Sequence, residues 1–184
     1  KTFDIFLKKN GSKEFKSIDY YRFIDGKPRD EAIKDYLKVK KIDFDNKIVS
    51  QISNKKNILF RQILKEKGVK LFSDAKKLLL RIKKKNIKIA LASSSKNCSY
   101  IVRKSKIYNF FEFIIDGEDL DRKKIKGKPN PKIFVEVIKK LKLSKKNTII
   151  IEDSIEGIKA AYKSNVKFPI AISRNSNIRK LKKN

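Results

Sequence analysis

The chain has 184 residues, 40% of them apolar and 12 of them Phe, which is enough for one domain or a small pair with a real core. One Cys and no His exclude a disulfide, nearly exclude a zinc site and remove the usual Ser-His and Cys-His catalytic arrangements. The formal charge of +29 is spread along the whole chain without a recognised DNA-binding pattern, so it argues for weak nonspecific attraction to polyanions over a specific nucleic-acid function.

Residues 1–68 read as an all-helical module. Phe3, Phe6 and Leu7 mark the end of one helix, and Asn10-Gly11-Ser12 a turn. Residues 18–24 are rich in aromatics and lead to Asp25-Gly26-Lys27-Pro28-Arg29. Pro28 suits the first turn of the next helix, on which Ile33, Tyr36 and Leu37 share a face. A further helix is predicted from Asp45 to Glu66, with Leu59, Phe60, Ile63 and Leu64 on one side and Gly68 at its end.

From Val69 the pattern becomes alternating. Ser73 caps a helix with Ala75, Leu78, Leu79 and Ile82 on its apolar face. A strand at 87–92 follows, then the turn Ser93-Ser94-Ser95-Lys96-Asn97 and a helix at 99–103. Residues 113–115 form a second strand ending at Asp116-Gly117. A polar loop then leads to Gly127-Lys128-Pro129-Asn130-Pro131 and a helix carrying Phe134, Val137, Ile138 and Leu141. The apolar run 148–151 is a buried strand that ends in Glu152-Asp153. Ser154 caps the helix after it, and 168–172 is the last strand. Strands and helices alternating at these lengths imply an α/β core with a doubly wound, Rossmann-like parallel sheet over residues 69–184. No apolar run approaches the roughly 20 residues of a membrane span. No secretory signal is read at the N-terminus, and the single Cys98 fits a reducing compartment, so a cytoplasmic location is expected.

Three stretches carry chemistry. A hydroxyl-rich turn between a strand and a helix offers hydroxyls and free backbone N–H groups to an anion. Lys128 sits in a stiff loop that would hold an ammonium in place, although alone it is one lysine among 49 basic residues. Glu152 and Asp153 repel one another, and a hard divalent cation would relieve that; read alone they fit equally a cap and a solvated acid. Parallel strands bring all three to one sheet edge, a combination that serves phosphoryl transfer.

These motifs resemble, in order, those of the haloacid dehalogenase-like phosphohydrolase superfamily, in the β-phosphoglucomutase-like branch with a helical cap. The stretch 87–97 (IKIALASSSKN) is similar to the second family motif, 127–134 (GKPNPKIF) to the third and 151–157 (IEDSIEG) to the fourth. Residues 25–29 (DGKPR) resemble the cap segment that carries a substrate-phosphate arginine. The resemblance implies an all-helical cap domain over 1–68 and a core over 69–184. It also implies that Ser93 and the Ser94 amide bind the transferring phosphoryl group and that Lys128 neutralises it. Glu152 and Asp153 would hold Mg²⁺, directly or through water. Arg29, Ser95, Lys96 and Asn97 would hold the distal phosphate of a small phosphorylated metabolite, a sugar phosphate in a phosphatase or mutase.

One family motif is missing. The resemblance calls for an Asp-x-Asp pair, carrying the nucleophile, on a first core strand between the strands at 87–92 and 148–151. Asp4 and Asp19 follow no apolar strand, and Asp43-Phe44-Asp45 follows Lys40-Lys41. The first core strand is therefore expected to be missing from this chain, which with no Met in its sequence reads as a piece of a longer protein, cut also at its C-terminal end. A decayed copy is the other possibility. As a chain without the nucleophile it is expected to be inactive alone, and a monomer. A non-catalytic remnant that binds phosphorylated ligands or a partner is the alternative, and a nonspecific polyanion binder the third.

Overall fold

The computed structural model describes residues 15–173. The predicted helix end at Phe3, Phe6 and Leu7, the turn at 10–12 and the basic tail after Arg179 lie outside the described residues. The chain divides into two compact units, Lys1–Gly68 and Val69–Asn184.

In the first unit α1 (Ser17–Asp19) runs into a π-helical turn, Tyr20–Ile24, followed by α2 (Arg29–Val39) and α3 (Asn46–Lys67). Pro28 takes the N-cap position of α2, with φ −56° and ψ 139°, one residue before the expected first turn. Asp45 caps α3, its carboxylate accepting from the Ile48 N–H at 2.7 Å. Ile24, Ala32, Ile33, Tyr36, Leu37, Val49 and Ile52 form the core. The stripe expected near the end of α3 is not part of it, since Phe60 and Ile63 are 37% and 49% exposed. Length explains this. At about 1.5 Å per residue, the 11 residues of α2 reach along only half of the 22 in α3. Gly68 ends α3 at φ +68°, a left-handed conformation that favours glycine.

The second unit runs α4 (Ser73–Lys84), β1 (Ala90–Ala92), α5 (Cys98–Lys104), β2 (Phe113–Ile115), α6 (Gly117–Arg122), α7 (Lys132–Lys140), β3 (Ile149–Glu152), α8 (Ile155–Lys163) and β4 (Phe168–Ala171). Both strand pairings are parallel, β1 with β2 and β3 with β4, as α/β alternation requires. Ala92 lies opposite Ile115, and Ile149 opposite Phe168. The described strands form two ribbons, and β1 and β3 make no ladder with one another. Ile115, Ile133, Phe134, Ile138, Ile150, Ala160 and Ala161 join in one cluster, so a single core serves both ribbons. The other face of the β3–β4 ribbon is bare: Ile149, Ile151, Phe168 and Ile170 are 58%, 44%, 49% and 42% exposed. The period of two along a strand puts these residues on the side away from Ile150.

The polar loop expected after Asp116 is instead helix α6. Asp116 makes it one, accepting from the N–H groups of Glu118 and Asp119 at 3.0 and 3.3 Å while the Asp119 carboxylate accepts from the Asp116 N–H at 3.2 Å. No helix among the described residues is long and apolar enough to cross a membrane.

Candidate active site

The turn at 93–97 follows β1 directly and is knitted by its own side chains. Ser93 N–H donates to the Ile115 carbonyl at 3.0 Å, which fixes the start of the turn to the end of β2. The Ser93 hydroxyl accepts from Ser95 N–H at 3.1 Å and the Ser95 hydroxyl from Asn97 N–H at 3.2 Å. Ser93, Ser94, Ser95 and Lys96 are half-buried, and Asn97 is enclosed at 1% exposure. Beneath the turn lies Cys98, whose thiol burial pushes up to about 11 against the opposing pull of a hydrogen bond with Ser93. At that value it stays neutral and inert at ordinary pH.

Lys128 is buried, at 5% exposure, and not the solvated lysine that its loop position alone allowed. Its ammonium donates to the Ala92 carbonyl, at the end of β1, at 3.4 Å, and to the Glu152 carboxylate at the end of β3. The Phe134 ring centroid lies 5.1 Å away. One cation thus joins the carboxyl ends of both ribbons. Glu152, itself buried, also accepts from the Ser154 hydroxyl at 3.3 Å, and that hydroxyl caps α8 by accepting from Gly157 N–H at 3.0 Å. A Cβ on Gly157 would lie 2.0 Å from Glu152 Oε2. Asp153 faces solvent. The two acids are thus unlike: one is an internal counter-ion and the other is open. Carboxylate oxygens suit magnesium, which is commonly held by one or two of them plus water. Among the described residues there is no group of three or more His, Cys, Asp or Glu side chains placed to hold a metal.

Arg29 belongs to the other compact unit. Its guanidinium donates to Ser53 O at 3.4 Å and Asn57 Oδ1 at 3.2 Å, both on α3. Burial pulls its affinity for the proton down, while Asp30 opposes and Arg61 adds to the effect. Lys56, on the same stretch of α3, falls to about 8 through burial first and the Arg29 charge second. A cluster of cations whose members repel each other is relieved by an anion. It also has a sign that can be tested. Lys56 titrates near 8 when folded and near 10.5 when unfolded, so the unfolded chain binds more protons between those values and stability rises with pH there. Lys56→Met should raise stability at pH 7 by an amount on the order of 1 kcal/mol or more, and by less than half as much at pH 9.5. Urea titrations at the two pH values check this, and an equal gain at both would contradict it.

Residues 93–97, Lys128, Glu152 and Asp153 therefore gather at the strand ends of the second unit, with Arg29 placed in the first. The sequence reading missed Asp116, Gly117, Gly157 and Lys56. For Asp116 and Gly117 a signal existed, because Asp116 with Asp119 three residues on has capping-box spacing. For Lys56 there was none among so many lysines.

The strand ends of this Rossmann-like α/β unit thus collect a hydroxyl turn, a buried lysine and a carboxylate pair. The family model described as haloacid dehalogenase-like hydrolase matches residues 1–171, and the chain belongs to that family. It is similar to a β-phosphoglucomutase from Mycobacterium tuberculosis (strain CDC 1551 / Oshkosh), with 24% identity over 167 residues, covering 86% of this chain and 64% of that protein. A phosphorylated carbohydrates phosphatase from Thermotoga maritima is 27% identical over 147 residues, covering 78% of this chain and 63% of that protein. The crystal structure of a β-phosphoglucomutase from Clostridium difficile matches with a TM-score of 0.82 and 26% identity, covering 97% of this chain and 78% of that one. These likenesses place the chain in the β-phosphoglucomutase-like branch. It spans less than two thirds of the length of either curated relative.

Proposed function

We propose that this chain is the phosphate-binding part of a magnesium-dependent phosphoryl-transfer enzyme acting on a small phosphorylated metabolite, a sugar phosphate in the first instance. The observation that carries the reading is Lys128, buried and held between the carboxyl ends of β1 and β3, on the carbonyl of Ala92, which precedes Ser93, and on the Glu152 carboxylate. A fixed ammonium in a dry site neutralises a transferring phosphoryl group without having to be reoriented. In this reading the Ser93 hydroxyl and the Ser94 N–H hold that group, and Arg29, Ser95, Lys96 and Asn97 hold the distal phosphate. The guanidinium fork suits a phosphate that does not react. Magnesium held by Asp153, with Glu152 directly or through water, would neutralise charge on the phosphoryl oxygens.

Among the described residues that precede β1, Asp43 and Asp45 are the one Asp-x-Asp pair, and the Asp45 carboxylate is engaged as the cap of α3; in this reading the nucleophilic pair of the family is not among them. We place the missing pair on a strand that would lie between β1 and β3, where the two ribbons are unjoined. The purified chain should then bind glucose 6-phosphate with magnesium but not hydrolyse it. Arg29→Ala should weaken that binding at least tenfold, about 1.4 kcal/mol. Isothermal titration and a phosphate-release assay test both halves. Magnesium-dependent turnover by the chain alone would remove the claim of a missing nucleophile, and absence of binding would remove the substrate class. The intact turn beside an absent nucleophile also favours a second reading, a remnant that binds phosphorylated ligands without converting them; absence of any rate after an Asp-x-Asp strand is supplied would support it.

A further inference from the structure

Asp121, the ion-pair partner of Lys96, plays no part in the chemistry above, yet it is built into the fold. Asp116 caps α6 through two backbone N–H groups and takes the Ser99 hydroxyl of α5 on its other oxygen at 2.6 Å. Gly117 N–H donates to the Ser95 carbonyl at 3.2 Å. A Cβ on Gly117 would lie 2.6 Å from Ser94 O and 2.7 Å from Lys96 N. Helix α6 therefore starts pressed against the backbone of the 93–97 turn. About one helical turn beyond Gly117, the Asp121 carboxylate comes within 2.5 Å of the Lys96 ammonium. The neighbouring Asp119 pairs with Arg122, and Glu118 faces solvent. The Lys96 and Asp121 side chains are 28% and 59% exposed, so an incoming ion can reach the pair.

We propose that Asp121 is a latch that sets the affinity threshold of the turn: its carboxylate holds the Lys96 ammonium until a more strongly binding anion displaces it. The proposal rests on the reading of 93–97 as an anion-binding turn. A resident monoanion lowers the affinity of every incoming anion by the strength of the pair. A second monoanion then gains little by exchange, whereas a phosphate group carrying about 1.5 to 2 charges near pH 7 gains from the difference. Asp121 thereby sets an affinity threshold for the turn: all anions are weakened alike, and the weakly held carboxylates and phosphodiesters fall out of the occupied range before phosphate monoesters do.

The test measures binding of inorganic phosphate and of acetate to the full chain at low salt, in the wild type, D121N, D121S, K96Q and the D121N/K96Q pair. Exposed ion pairs are worth a factor of about 1.5 to 5. D121N and D121S should therefore bind phosphate about two- to fivefold more tightly and acetate more tightly by the same factor. The gain should vanish in the K96Q background. Wild-type binding with an unchanged or weaker D121N overturns the latch alone, as does a gain that persists without Lys96. Absence of phosphate binding by every variant overturns the anion-turn reading, and the latch with it. Thermal melts of D121N and D121S guard against a folding defect; because Asp121 is more than half exposed, they should match the wild type.

Discussion

Lys128→Met should destabilise the second unit by about 3–5 kcal/mol at pH 7, the cost of stranding one member of a buried ion pair. Lys128 and the carboxylate it serves are 5% and 8% exposed, so water cannot replace the lost ammonium. Among the described residues, the Ser154 hydroxyl, donating at 3.3 Å, is the hydrogen-bond partner left to that carboxylate. Adding Glu152→Leu should recover most of the stability, since a matched apolar replacement of both partners is often neutral. Urea unfolding of the three proteins at pH 7 measures each step. A loss below 1 kcal/mol in Lys128→Met would mean that the pair is not buried in solution.

Gly117→Ala should be nearly as damaging, at about 3 kcal/mol, the upper range for overpacking a tight site. The added methyl would meet Ser94 O at 2.6 Å and Lys96 N at 2.7 Å, and both are backbone atoms that cannot rotate away. Either the 93–97 turn shifts or α6 lifts from it. Both outcomes break the Gly117 N–H bond to Ser95 O and should lower phosphate affinity along with stability. Gly157→Ala makes a useful contrast, because the group in its way is the Glu152 side chain. Chemical unfolding and phosphate titration of Gly117→Ala give the answer, and native values in both would show that the turn and helix are not in contact.

Much of this was legible in the residues, and the reason is local chemistry. The run 148–151 ending in two acids could only be a strand, and Ser154 announced the next helix by its capping hydroxyl, which accepts from Gly157 N–H as such a cap should. The 93–97 turn was readable because five polar residues followed an apolar run. What could not be read depended on partners distant in sequence. Nothing near Lys128 says that its counter-ion is Glu152, 24 residues away, so two carboxylates with different surroundings looked equivalent. The exposed end of α3 likewise followed from the shortness of α2, a property of another helix. The helix after Asp116 is hidden by a polar composition that signals a loop, and its one mark in the sequence is the capping spacing of Asp116 and Asp119.

The bare face of the β3–β4 ribbon has a consequence for the chain in solution. Ile149, Ile151, Phe168 and Ile170 make a flat apolar surface beside a strand edge, the kind of surface on which copies stack. Against that stands a formal charge of +29, which makes every copy repel every other over roughly a Debye length, about 30 Å in 10 mM salt and 8 Å at physiological strength. The scattered lysines thus act as a colloidal brake whose strength is set by the ionic strength of the medium.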